Sequence, residues 1–198
     1  MRSGYNAIAE RYLSARNSAS EDVGFLDELA RRLPRGARIL DAGCGAGAPV
    51  AESLCRRFDV TGVDFAEKQI ELARRLVPQA LFLVQDMADL GFKDGSFDAV
   101  CSYYAIIHID RRLHPRILRG FHRVLKPAGL MLLCTGAEDN DDDWADDYHG
   151  APMYWSHYDA ETNLRMIAEC GFEVTVARPI PDSTHPGGSH LFVLAQKQ

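Results

Sequence analysis

Hydrophobic positions along the chain change period from segment to segment, and the changes mark the elements. Over residues 5–17, Tyr5, Ile8, Ala9 and Tyr12 fall on one face of a helix. A second helix is expected over 21–33, with Phe25, Leu26 and Leu29 inward, and Pro34-Arg35-Gly36 ends it. From Ala37 onward, short β-rich runs at 38–40, 60–63, 81–84, 97–103 and 130–134 alternate with helical patterns at 49–58, 66–76 and 113–125. Strand and helix in that alternation build a parallel sheet covered on both faces. The end of the chain breaks the pattern. A helix over 160–170 leads into strands at 172–177 and 190–195 with no helix between them, so the final strand runs antiparallel. The expected fold is α/β: a doubly wound, mostly parallel seven-stranded sheet with an antiparallel final strand. It forms a single domain over 1–198, with helices before residue 37 and a long connection, 135–158, read as an inserted loop.

Composition narrows the class. Hydrophobic residues make up 46% and charged residues 25%, which is globular usage, and no stretch is apolar over a membrane-spanning length. A cytoplasmic protein without a membrane partner is the expectation. The net charge is −6 and basic residues never cluster beyond pairs, which argues against nucleic acid as a partner. Five cysteines, none in a C-x-x-C pair, are expected to be reduced and mostly packed, with Cys44 set apart by its place in a glycine loop. Monomer and homodimer both stay open.

The strongest chemistry lies where the first strand ends. Arg38-Ile39-Leu40 runs into Asp41-Ala42-Gly43-Cys44-Gly45-Ala46-Gly47 and then directly into a helix, the context in which glycines let a backbone approach a ligand. Gly43, Gly45 and Ala48 also satisfy the dinucleotide pattern G-x-G-x-x-G/A, and Asp64, 21 residues after Gly43, suits the ribose of either type of cofactor. The third strand ends in Gln85-Asp86-Met87 and the fourth in Ser102-Tyr103-Tyr104-Ala105, so four strand ends converge on one crevice.

From Ile39 through Gly47, Gly62-Val63-Asp64, Gly95 to Val100 and Val124 to Leu130, the sequence resembles the class I S-adenosylmethionine-dependent methyltransferases. The resemblance implies a Rossmann-like methyltransferase fold and an enzyme that uses S-adenosylmethionine and releases S-adenosylhomocysteine. It implies that Gly43, Gly45 and Gly47 approach the methionine part, that Asp41 orders its amino group and that Asp64 grips the ribose. Phe65 would lie on the adenine, and Asp86 with the Met87 backbone would read the adenine edge. Cys44, Tyr103 and Tyr12 are further candidates on the cofactor side. Asp41, Asp64 and Asp86 also have a plainer reading as caps of the turns and helices that follow strands.

Methyl transfer from a sulfonium asks the protein mainly to position an acceptor and exclude water, so no obligatory triad marks the centre. The (Asn/Asp/Ser)-Pro-Pro-(Tyr/Phe) motif of amino-methyltransferases and a Pro-Cys nucleophile are both missing. Asp110 alone does not make the carboxylate set of a metal-dependent catechol enzyme, so no metal is expected. Residues 135–158 open with seven carboxylates in ten positions (138–147) and turn aromatic from Tyr148 to Tyr158, which suits a lid and pocket wall. The acceptor pocket is expected to draw on Tyr5, Tyr104, His108, Trp155, His157 and His190. Candidates for catalysis are His157, His108 and Tyr104, and among the histidines, which titrate near neutrality, the order is His157, then His108, then His190. The expected reaction is transfer to an N, O or S atom of a small molecule. Transfer to a protein or RNA, a catalytically silent cofactor-binding module and a nicotinamide dehydrogenase are the alternatives.

Overall fold

The computed structural model describes residues 2–15, 23–181 and 188–198, and side chains from residue 12 to 15 lie outside that description. The expected helical residues 16–17 and 21–22 likewise lie outside the described residues. Two helices, α1 (Arg2–Ala15) and α2 (Val23–Arg32), precede the sheet. Strands β1 (Arg38–Ala42), β2 (Asp59–Asp64), β3 (Leu81–Val84), β4 (Phe97–Ser102) and β5 (Leu125–Gly136) alternate with helices α3 (Val50–Leu54), α4 (Glu67–Leu76) and α5 (His114–Val124). After β5 come β6 (Asn140–Tyr148), β7 (Ala151–His157), α6 (Ala160–Glu169), β8 (Phe172–Pro181) and β9 (Ser189–Lys197).

The seven-stranded sheet has the order β3-β2-β1-β4-β5-β9-β8. Strands β1 to β5 are mutually parallel, and β9 is antiparallel to both neighbours, as the expected terminal hairpin requires. The order reverses at β1 and β4, so a crevice opens between their carboxyl ends.

Strand periodicity sorts the core into two layers. Ile39, Cys101, Leu132 and Leu194 face one side and pack with Leu26 and Leu29 of α2, Val50 and Leu54 of α3, and Ile70 and Ala73 of α4. Their neighbours Leu40, Val100, Met131 and Val193 face the other side and pack with Ile117, Leu118 and Phe121 of α5 and Ile167 of α6. A single residue of register slip would exchange the two sets, which is why such a pattern fixes pairing firmly.

The stretch 135–158, expected as an irregular loop, is instead extended throughout most of its length. Strand β5 continues to Gly136, and β6 and β7 pair as a separate two-stranded sheet through Asp143 with Trp155 and Trp144 with Tyr154. The hairpin turns at His149 (φ 55°) and Gly150 (φ 95°), both left-handed, which matches the twist of antiparallel strands. Arg111 holds its start, with guanidinium nitrogens 2.8 Å from Asp139 and 2.7 Å from Asp141 and the group stacked 4.6 Å over Tyr158.

Candidate functional site

The crevice at the carboxyl ends of the parallel strands is lined by Tyr5, Gly43, Gly45, Asp64, Phe65, Gln69, Asp86, Met87, Tyr103, Tyr104 and His108, with Ala46, Ala48, Ala105 and Ile109. Its floor is built by the turn after β1. The Gly43 and Cys44 amides donate to the Val63 carbonyl at 2.8 and 3.0 Å, drawing the loop against the end of β2. Gly43 sits at φ 79°, and a Cβ there would lie 2.3 Å from Cβ of Ala105 and 2.7 Å from Cε of Met87. Glycine is therefore required twice over, by backbone conformation and by space.

Asp64, at the end of β2, is buried and spans two backbones. Its Oδ2 accepts from the Gly45 amide at 3.0 Å, and its Oδ1 accepts from the Ala66 amide at 2.8 Å. Burial raises its pKa, while the amides of Ala66, Gly45 and Phe65 work in the opposite direction. The carboxylate thus ties the glycine loop to the start of α4 and also faces the crevice. Asp86 caps the turn after β3, accepting from the Ala88 amide at 2.8 Å, and lines the same crevice. For Asp64 and Asp86, capping and facing a ligand coexist.

Asp41 and Cys44 lie behind this surface, both buried, and Gly47 (φ 87°) packs under the loop, where a Cβ would meet Phe82 at 3.1 Å. Burial pushes the Cys44 thiol well up, helped by the charges of Asp41 and Asp64. All five cysteines are free thiols. The side chain of Tyr12, another expected cofactor residue, lies outside the described residues.

Above the floor stands a set of aromatic rings. Tyr104 adopts a left-handed backbone (φ 51°) where the chain leaves β4, a conformation that costs a non-glycine residue about 1–2 kcal/mol and turns its ring toward His190, 5.0 Å away. Tyr5 from α1 meets Phe65 edge-on at 6.4 Å and His108 at 5.5 Å, and Trp155 of β7 lies 5.6 Å from His108. His108 is 8% exposed, and its Nδ1 lies 2.8 Å from the Tyr154 carbonyl. A carbonyl only accepts, so Nδ1 carries the hydrogen and Nε2 keeps its lone pair. Burial pushes the His108 pKa down to about 4, against the opposing pull of that carbonyl. The ring is neutral at physiological pH.

His157 has the same kind of anchor, Nδ1 to the Glu138 carbonyl at 2.8 Å, and burial lowers its pKa as well. It is wedged against Gly136, where a Cβ would fall 1.9 Å from Nδ1, and is not among the residues lining the crevice. Trp155 and His190 support the wall through His108 and Tyr104 and are likewise outside the lining. The structure therefore brings Tyr5, Tyr104 and His108 to the cofactor floor and sets His157 apart. Sequence reasoning passed over Gln69 and Ile109. Gln69 had a signal: it is a polar residue on the apolar face of α4, next to Ile70 and one turn from Ala73. Ile109 had none. Among the described residues no cluster of three or more histidines, cysteines or carboxylates is placed to hold a metal ion.

A reversal of strand order with a glycine loop, a carboxylate at the next strand end and an open crevice defines a doubly wound protein with a nucleotide-type cofactor site. Residues 39–129 match the family described as Methyltransferase domain, and this stretch is a methyltransferase domain of the class I S-adenosylmethionine-dependent kind. The chain is similar to the protein YqeM of Bacillus subtilis (strain 168), with 29% identity over 153 residues covering 72% of this chain and 62% of that protein. The 27-O-demethylrifamycin SV methyltransferase of Amycolatopsis mediterranei (strain S699) is 35% identical over 116 residues, covering 54% of this chain and 42% of that enzyme. The matched stretch thus spans less than two thirds of either relative's length. Among solved structures, the Burkholderia thailandensis 1,6-didemethyltoxoflavin-N1-methyltransferase, with bound 1,6-didemethyltoxoflavin and S-adenosylhomocysteine, superposes with a TM-score of 0.75 at 19% identity, covering 99% of this chain and 84% of that one. That likeness carries the Rossmann-like methyltransferase fold.

Proposed function

We propose that this protein transfers the methyl group of S-adenosylmethionine to an N, O or S atom of a small-molecule acceptor. The observation that carries the reading is the floor of the crevice: the left-handed Gly43 lets the loop turn closely against Ala105 and Met87 of the lining, and the buried Asp64 carboxylate faces the same crevice while fixing the loop through Gly45. Bound there, the cofactor supplies an already activated methyl group. Gly43, Gly45 and Asp64 would hold its methionine and ribose portions, and Phe65, Asp86 and Met87 would enclose the adenine. Asp41, Cys44 and Gly47 shape the loop from behind, and Tyr103 closes the β4 side.

The acceptor lies between Tyr5, Tyr104 and His108, with Trp155 and His190 bracing the wall. His108 serves as orienter or base through Nε2, because the Tyr154 carbonyl fixes its other nitrogen as a donor. His157 supports the wall from Gly136. Helix α1 and the β6–β7 hairpin act as covers of the crevice, which shields the transfer from water, whereas α2 packs on the sheet. The relatives' named substrates, 27-O-demethylrifamycin SV and 1,6-didemethyltoxoflavin, are small molecules, and the net charge of −6 disfavours docking to nucleic acid. The reading places the enzyme in the cytoplasm and uses no metal.

The test is incubation of the protein with methyl-labelled S-adenosylmethionine and fractionated cell extract, beside an Asp64→Ala control. Label in the small-molecule fraction with wild type alone is expected. Label in protein or RNA would transfer the reading to a macromolecular acceptor, and no label with tight cofactor binding would make the chain a sensor.

A further inference from the structure

Five of the side chains that line the crevice carry flat rings: Tyr5, Phe65, Tyr103, Tyr104 and His108. Tyr104 and His108 follow the end of β4, and Tyr5 reaches over from α1. Flat apolar faces gain most from a flat apolar partner. Within that surface a tyrosine hydroxyl turns to donate or accept, whereas His108 is fixed in one role. Its Nδ1 donates to the Tyr154 carbonyl at 2.8 Å, which leaves Nε2 as an acceptor. Nε2 has no hydrogen-bond partner among the described residues and is not sealed from the crevice that the ring lines. Burial, which keeps the ring neutral, supports the same assignment.

Positive charge is missing from this wall. The charged side chains among the described lining residues are Asp64 and Asp86. Arginines on the surrounding elements are engaged elsewhere: Arg2 with Glu67, Arg11 with the His149 carbonyl, Arg111 with Asp139 and Asp141, and Arg112 with Asp110. A carboxylate or phosphate entering here would leave water without gaining a counter-charge. A ring that carries a hydroxyl or an N–H would instead satisfy Nε2, and a ring without such a donor would bury that acceptor unpaired. We propose that the methyl acceptor is a ring compound that donates an O–H or N–H hydrogen to Nε2 of His108 and carries no anionic group, with His108 as the residue that selects it. The proposal rests on the crevice being a cofactor and small-acceptor site.

The experiment loads the protein with saturating S-adenosylhomocysteine, whose binding is measured first, and then compares three probes of one ring size by equilibrium dialysis near neutral pH. The probes are 2-naphthol, 2-naphthoate and 2-fluoronaphthalene. Fluorine removes the donor and makes the ring more apolar, so apolar contact alone would favour it over the naphthol. Wild type is expected to bind 2-naphthol roughly 10-fold or more tightly than either other probe. His108→Phe, which removes the acceptor and keeps a ring, is expected to bring 2-naphthol within about threefold of 2-fluoronaphthalene. Equal binding of 2-naphthoate or 2-fluoronaphthalene by wild type, an unchanged preference in folded His108→Phe, or binding of none of the probes by the loaded protein would overturn the proposal. If His108→Phe does not fold, the wild-type ratios decide alone. Wild type that fails to take up S-adenosylhomocysteine would overturn the cofactor reading itself, and the proposal with it, before any probe is added.

Discussion

Gly43 shows how much a single position can require. A methyl group there meets Cβ of Ala105, which has no rotamer to move, and φ 79° is unfavourable for any side chain. Gly36 provides the control, since it has φ 77° but nothing within 4 Å of its would-be Cβ. Gly43→Ala is therefore expected to cost about 2 kcal/mol or more, roughly 4–8 °C in Tm, and to abolish S-adenosylhomocysteine binding. Gly36→Ala should lose less stability and keep the affinity. Equal effects of the two on binding would show that the loop tolerates a side chain. Gly43 was legible in the sequence because its reason is local: a strand, a glycine and a helix in succession. The wall was less so. What sets the protonated nitrogen of His108 is the Tyr154 carbonyl, 46 positions away, and what sets His157 aside is its wedge against Gly136. No spacing along the chain encodes either contact, so ranking His157 ahead of His108 had no physical basis beyond its aromatic neighbours.

At the scale of elements, α1 is held at both ends of the crevice. Ala9 packs with Ala46 of the glycine loop and Leu72 of α4, and Ile8 packs with Ala151 and Met153 of β7. Glu67 at the start of α4 accepts from the Arg2 guanidinium and, at 3.0 Å, from the Asn6 amide, while Arg11 donates to the His149 carbonyl at 2.9 Å. The Arg2 and Asn6 hydrogen bonds hold the Glu67 carboxyl down to about 2, so this fastening persists through the whole working pH range. Exposed pairs of this kind contribute little to global stability but do restrain the element they join. Glu67→Ala is expected to leave Tm nearly unchanged and to speed amide hydrogen exchange in residues 2–15. Unchanged exchange there would show that apolar packing alone holds the helix. The parallel strands and their helices could be read from the sequence because each period belongs to one element. The β6–β7 hairpin could not, since its first strand is an acidic run of low β-propensity with Trp144 60% exposed. Its pairing comes from the more apolar β7 and from a His149-Gly150 turn whose left-handed residues were overlooked.

For the molecule as a whole, buried neutral histidines make stability depend on pH. Burial holds His108 and His114 near pKa 4 in the folded protein, below the ordinary value of 6.5. As pH falls from about 6.5, the unfolded chain takes up these protons first, so the folded state loses ground until about pH 4, where both states are protonated. Above 6.5 neither group contributes a slope. A displacement of that size corresponds to about 3 kcal/mol for each histidine, large against the roughly 5–15 kcal/mol of a typical domain. Glu67, Asp98, Asp110 and Asp159 have lowered folded pKa values, so protonating them extends the loss below pH 4 rather than reversing it. Urea denaturation at pH 7, 5.5 and 4.5 is expected to show stability falling across the series, and His108→Phe should reduce that slope by less than half, because burial lowers the His114, His157 and His122 pKa values as well. A constant free energy of unfolding from pH 7 to 4.5 would mean that the two rings are hydrated or charged in the folded protein, and His108 would then be no neutral acceptor poised in the crevice.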